Sequence, residues 1–167
     1  MERRAVQIRA ATAAAGDSVA AIYDHYVLGT VVTFEETAVP GPVMGERIAA
    51  VLAAGLPWLV AVEDGRVTGY AYASWWNARS AYRHTVECTA YLAPGATGRG
   101  LGTALYEQLF EQLRRLDMHA VIAVIALPNP ASVALHERFG LRPAGRFPEV
   151  GSKFGAWIDV GYWLATL

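Results

Sequence analysis

The stretch TVECTAYLAPGATGRGLGTAL, residues 85–105, constrains this chain more than any other. It reads as a strand, a glycine-rich turn and the start of an amphipathic helix, whose apolar positions Leu101, Leu105, Leu109, Leu113 and Leu116 recur every three or four residues. A helix entered through glycines presents backbone N–H groups without internal partners, and its dipole favours an anion there. The turn is therefore a candidate phosphate site; a tight connection is the alternative reading for glycines alone. Two well-known phosphate loops are disfavoured. Gly95 and Gly100 have the outer spacing of a triphosphate loop, but Leu101-Gly102 stands where Lys-Ser/Thr is needed. A dinucleotide fingerprint needs Gly or Ala at Thr103 and an acid at the end of the next strand, where Leu127-Pro128-Asn129 stands.

Around this unit the pattern alternates between strands and helices. Val6, Ile8 and Ala10 suggest a half-buried strand, and Thr12 an N-cap for a helix to about Leu28. After the loop TVVTFEETAVPG, Pro42 opens a second helix that runs to Gly55. In WLVAVEDGRVTGYAYASWW, Glu63-Asp64-Gly65-Arg66 separates two β-rich runs as a hairpin turn does. YRHTVECTAYL is a third strand, and AVIAVIAL, apolar without alternation, is expected to be central and buried on both faces. Asn129-Pro130 starts a short helix to about Phe139, with Gly140 as its C′ residue. Two strands, near Arg142–Val150 and Phe154–Leu164, close the chain. The order β-α-α-β-β-β-α-β-α-β-β predicts an α+β fold with a mixed, mostly antiparallel central sheet flanked by helices.

At 167 residues this is one expected domain, 1–167. Fourteen Lys+Arg against fifteen Asp+Glu give a net charge of -1, so no basic excess exists to condense on nucleic acid or anionic lipid. Thirteen of the basic residues are Arg, and Lys153 is the single Lys. The lone Cys88 excludes an internal disulfide and any multi-cysteine zinc site. No apolar run has the length of an export leader or a membrane helix, so a cytoplasmic location is expected.

Alternation puts Thr85, Glu87, Thr89 and Tyr91 on one face of their strand and Val86, Cys88, Ala90 and Leu92 on the other. Glu87 is then a carboxylate in a largely apolar strand, either paired with Arg79 or Arg83 or available for proton transfer. Cys88 points away from Glu87 and reads as a core residue rather than a nucleophile. HERFG begins like a zinc-protease motif, but Gly140 stands where the second His belongs, and no metal site follows.

The glycine turn into a helix, then a strand, then Asn129 and a helix ending in Phe139-Gly140 resemble the acetyl-CoA site of the GCN5-related N-acetyltransferase superfamily. Thr97 departs from the motif's first position. Over nearly the whole chain, PWLVAVEDG, NARSAY, TVECTAYL, GRGLGTALY, AVIALPNPASVALHERFG and VGSKFGAWIDVGYW resemble its phosphinothricin and methionine sulfoximine N-acetyltransferase branch. The resemblance implies an acetyl-CoA-dependent transferase acting directly, without metal, on the α-amine of a small glutamate-like amino acid. Another amine, such as a polyamine or a protein N-terminus, and a non-catalytic acyl-CoA binder are the alternatives. It further implies that the backbone of Ala90, Tyr91 and Leu92 pairs with pantetheine, that the amides of Gly98, Arg99, Gly100, Leu101, Gly102 and Thr103 hold the pyrophosphate, and that Asn129 contacts the cofactor arm. Glu87 is implied as general base and His136 as the acid or base at the thiol. Phe34, Asn77, Arg79, Tyr82, Glu87, Cys88 and Thr89 are implied to surround the substrate, with Arg79 on its carboxylate and Asn77 replacing a basic residue of the herbicide-detoxifying members. Lys153 and Trp157 fall in a stretch implied to lie near the site and a homodimer contact.

Overall fold

The computed structural model describes residues 6–167. The expectation that no export leader is present falls partly on residues 1–5, which lie outside the described residues. Seven strands and four α-helices follow one another as β1 (Gln7–Ala10), α1 (Gly16–Gly29), α2 (Gly41–Ala53), β2 (Trp58–Glu63), β3 (Arg66–Trp75), β4 (Thr85–Leu92), α3 (Leu101–Arg115), β5 (Ala120–Leu127), α4 (Pro130–Arg138), β6 (Arg142–Lys153) and β7 (Ala156–Thr166). The strands form one sheet in the order β1-β2-β3-β4-β5-β7-β6. Every pairing is antiparallel except β4 with β5. This is the mixed, mostly antiparallel sheet the sequence predicts.

Local chemistry explains most boundaries. Asp64 and Gly65 both take positive φ, as the two-residue β2–β3 hairpin requires. The side chain of Asn129 accepts a 3.2 Å hydrogen bond from the Ser132 amide and caps α4, while Pro130 pre-sets its first turn. Gly140 ends that helix in the left-handed region. Thr12, by contrast, makes no side-chain cap; one 3-10 turn, Ala13–Ala15, precedes α1.

The helices cover the sheet from both sides. Leu105, Tyr106, Leu109, Phe110 and Leu113 of α3 pack on Val86, Cys88, Val121, Ala123 and Ile125. On the other face, Val19, Ile22, Tyr23 and Val27 of α1 and Met44 and Ile48 of α2 pack on Trp58, Val60 and Tyr70. Burial of each large aliphatic side chain in these layers contributes roughly 1.5–3 kcal/mol before the entropy of ordering is set against it.

Three expectations are corrected. β5 is central in order but not buried on both faces: Val121, Ala123 and Ile125 are enclosed, whereas Val124 is 37% exposed. The reason is that α1 and α2 pack over β2, β3 and β4 and leave this part of their face open. Leu116 is exposed, because α3 ends at Arg115 and its apolar stripe stops at Leu113. β4 starts at Thr85 rather than Tyr82, since Ser80–Tyr82 form a 3-10 turn.

Candidate active site

β4 and β5 pair over only three residues, Thr85–Glu87 with Ala120–Ile122, although the strands continue to Leu92 and Leu127. Beyond Glu87 they part, because β4 stays in register with β3 and β5 with β7. Strand backbone facing such a gap has N–H and C=O groups without ladder partners, so a ligand carrying amides satisfies them as an added strand would. A cavity of about 500 Å³ occupies the gap. Its walls include Cys88, Thr89, Ala90, Tyr91 and Leu92 of β4, the turn residues Gly98, Gly100, Gly102 and Thr103, and Asn129, Ser132 and His136.

Gly98 and Gly100 stand at φ 71° and 81°, and Gly100 is the N-cap of α3. A Cβ built on either would meet no protein atom within 4 Å. What demands glycine is the left-handed backbone itself, which leaves the first amides of α3 bare toward the cavity. Arg99 and Leu101 do not line this cavity with their side chains, although it is their backbone amides that are expected on the pyrophosphate. Leu101 is buried, and Arg99 pairs with the buried carboxylate of Glu63 beside a separate cavity.

Glu87 is the last β4 residue paired with β5, at the mouth of the gap. Burial raises its pKa above the ordinary carboxylate value. No ion pair to Arg79 or Arg83 forms; Arg83 donates instead to the Ser80 carbonyl. Cys88, on the opposite face, is buried in the cavity wall, and burial pushes its thiol up to about 12, so it is no ready nucleophile.

His136 faces the cavity from the Cys88 side, 6% exposed. Its Nδ1 lies 2.7 Å from the Ser132 carbonyl, an acceptor, so Nδ1 carries the hydrogen. Nε2 lies 2.8 Å from the Tyr106 hydroxyl, which therefore donates to it. Burial lowers the pKa of the ring. Tyr106 itself was not singled out by the sequence pattern, which counted leucines along α3. The usable signal was a tyrosine on the core-facing stripe, where a buried phenol calls for a polar partner.

The residues expected around the amine are more scattered. Asn77 accepts from the Arg79 amide, and Arg79 and Tyr82 are exposed in the β3–β4 connection, none of them lining the cavity in the gap. Phe34 is 42% exposed. On the Glu87 face lies a second chamber of about 330 Å³ that sequence reasoning did not anticipate, lined by Tyr23, Glu35, Arg47, Trp58, Tyr72 and Ser74 among others. Ser74 and Tyr72 stand directly opposite Glu87 and Thr89 across the β3–β4 ladder and so share their face. Tyr26, also unanticipated, lines the main cavity and donates to the Leu92 carbonyl. Among the described residues, no group of three or more His, Cys, Asp or Glu side chains is placed to hold a metal ion.

Residues 19–141 match the acetyltransferase (GNAT) family. The chain belongs to that family. It is similar to a phosphinothricin N-acetyltransferase of Streptomyces viridochromogenes, 42% identical over 97% of this chain and 88% of the relative. It is also similar to an L-methionine sulfoximine/L-methionine sulfone acetyltransferase of Salmonella typhimurium, 36% identical over 93% of this chain and 91% of the relative. Among solved structures, a GNAT superfamily phosphinothricin acetyltransferase from Sinorhizobium meliloti in complex with acetyl-CoA superposes with a TM-score of 0.93. The two are 38% identical, over 97% of this chain and 88% of that one. As a GNAT member this chain is an N-acetyltransferase, and acetyl-CoA is its co-substrate.

Proposed function

We propose that residues 1–167 form one acetyltransferase domain that acetylates the α-amine of small glutamate-like amino acids bearing a phosphinate, sulfoximine or sulfone group. The observation that carries this reading is the gap after Glu87, with a carboxylate of raised pKa at its mouth on one face and His136 in the cavity on the other. The names of the S. viridochromogenes and S. typhimurium relatives supply the substrate class.

In this reading acetyl-CoA lies along β4, its pantetheine on the backbone of Ala90–Leu92 and its pyrophosphate on the amides after Gly100. Acetyl transfer needs a neutral amine. A carboxylate whose charged form is disfavoured by burial takes the ammonium proton, directly or through water. As the amine nitrogen bonds to the acetyl carbon, the C–S bond breaks and the electron pair leaves on sulfur. His136 returns a proton to that thiolate. Its neutral form commits its one N–H to the Ser132 carbonyl, so it first takes up the second proton that the amine nitrogen sheds as the amide forms and then gives that proton to the thiolate, a release its lowered pKa favours. Direct transfer agrees with the high pKa of Cys88. Arg79 holds the substrate carboxylate, with Tyr82 and Phe34 beside it.

The β6–β7 hairpin exposes Phe147, Val150, Phe154 and Trp157, the last 70% exposed, which supports burial of this apolar surface in a homodimer. Cytoplasmic detoxification of such amino-acid analogues follows from the same reading.

The experiment is acetyl-CoA turnover with phosphinothricin, methionine sulfoximine, methionine sulfone, spermidine and a peptide amine. Turnover of the amino-acid analogues well above the others is expected. Turnover confined to spermidine or the peptide overturns the substrate assignment.

A further inference from the structure

The α1–α2 loop, residues 30–40, stands between the two cavities: Val32 lines the main one and Glu35 the second chamber. An irregular loop of this length is ordinarily held weakly. Here it is tied from three directions. The Tyr23 hydroxyl on α1 is 2.7 Å from the Thr33 hydroxyl and also donates to the Glu35 carboxylate. Arg47 on α2 grips the same carboxylate through two hydrogen bonds, of 2.8 and 2.7 Å.

The third tie comes from the far end of the chain. Lys153, the last residue of β6, is 2% exposed, and its Nζ donates to the carbonyl oxygens of Thr33 and Glu35, each at 2.8 Å. Burying an ammonium is costly unless its donors are satisfied, and burial lowers its pKa, with Glu36 partly offsetting the effect. The two carbonyls meet that need. A compact ammonium fits between two oxygens where the planar fork of an arginine does not, which gives a physical reason for the single Lys in a chain with thirteen Arg. Two residues earlier on the same strand, Gly151 packs under the ring of Phe34: a Cβ there would stand 2.3 Å from the ring's Cζ. The end of β6 is thus a seat for residues 33–35, with a cation on their carbonyls and a glycine beneath their aromatic ring.

We propose that Lys153 is a positioning residue for the acceptor side of the reaction. By holding the carbonyls of Thr33 and Glu35 it sets Glu35 against the chamber on the Glu87 face and Phe34 over Gly151, and so governs binding of the amine without governing binding of acetyl-CoA. The identity of the amine rests on the proposed function; the positioning does not.

The test compares Lys153→Met and Gly151→Ala with the wild type in the full chain. Loss of two charge-assisted hydrogen bonds in Lys153→Met is expected to raise KM for the amino acid roughly ten- to hundredfold. The calorimetric Kd for acetyl-CoA should stay near its wild-type value. Gly151→Ala, which displaces Phe34 while keeping Lys153, should shift the amine KM in the same direction. An unchanged amine KM in folded Lys153→Met overturns the proposal, as does equal weakening of amine and acetyl-CoA. Should Lys153→Met not fold, an unchanged amine KM in Gly151→Ala overturns it. If no amine is turned over, the functional reading fails and hydrogen exchange decides the positioning alone. Lys153→Met is expected to lose amide protection at Glu35 and Val39, whose N–H groups donate within this loop region to the Thr33 hydroxyl and the Asp24 carboxylate, and retained protection overturns the proposal.

Discussion

Tyr106 and His136 are joined by a hydrogen bond of 2.8 Å from the phenol to Nε2, although they come from different helices and 30 residues apart. With Nδ1 committed to the Ser132 carbonyl at 2.7 Å, this bond fixes the imidazole as its neutral Nδ1–H tautomer. Tyr106 also interacts with the Cys88 thiol, so the phenol connects the strand at the gap to the helix that carries His136. It does not line the cavity, and its part is to position the ring.

Tyr106→Phe should therefore leave a buried nitrogen acceptor without its donor, at about 1–3 kcal/mol of stability. In the wild type, nitrogen NMR should find one neutral His136 tautomer persisting below the ordinary histidine pKa. The variant should mix tautomers and show a displaced limb in its pH–rate profile. A single unchanged tautomer with an unchanged profile would remove the positioning role.

Glu87→Gln separates chemistry from stability. If Glu87 is the base, kcat should fall ~10²–10⁴-fold while acetyl-CoA binding survives. The same carboxylate has a folded pKa above its unfolded one. Between those two pKa values the folded state binds more protons, so its contribution to stability falls as pH rises through them and stays unfavourable at neutrality. Glu87→Gln should thus be more stable than the wild type at pH 7, with the gain vanishing in acid below the unfolded carboxylate pKa. Thermal melts at both pH values, run beside the kinetics, check both signs.

Gly100→Glu should abolish calorimetric acetyl-CoA binding in a chain that remains folded. No protein atom lies within 4 Å of a Cβ at this position, so the expected damage comes from left-handed backbone strain and a carboxylate placed where the pyrophosphate is proposed to sit. Normal affinity would move the pyrophosphate elsewhere.

Much of the architecture was legible because it is written in local signals. Asp64-Gly65 announces a hairpin, Asn129-Pro130 a capped helix, and the glycines after Pro94 a turn into α3. The parting of β4 from β5 is not local: it follows from which neighbour each strand keeps, and neither strand's sequence states it. Burial of AVIAVIAL was misread for the same reason, since an apolar run does not say which face a helix will cover. At the site, Glu87 and His136 could be singled out as candidates, but their placement on opposite sides of the sheet needed the fold. Tyr106 escaped because it reads as an ordinary core aromatic, and Lys153, though it stands out as the single Lys in a stretch resembling one near the site, carries no local sign of its partners. Only a contact 30 residues away in the first case, and 118 and 120 residues away in the second, distinguishes them.

Arg79 gives the sharpest test of the substrate assignment. Its side chain is exposed, its amide is held by Asn77, and no carboxylate among the described residues pairs with it in an ion pair. A guanidinium so placed is available for a substrate carboxylate through two parallel hydrogen bonds, and losing such a pair costs about 1.5–3 kcal/mol, on the order of tenfold or more in affinity. Arg79→Ala should raise KM for the amino acid by that factor while leaving KM for the corresponding decarboxylated amine nearly unchanged, because the amine has no carboxylate to lose. Stability should stay within measurement error, since an exposed side chain outside the core is being shortened. Equal losses for the acid and the decarboxylated amine would show that Arg79 acts through the shape of the β3–β4 connection, and the carboxylate would then have to be sought at Arg47, the guanidinium that lines the second chamber.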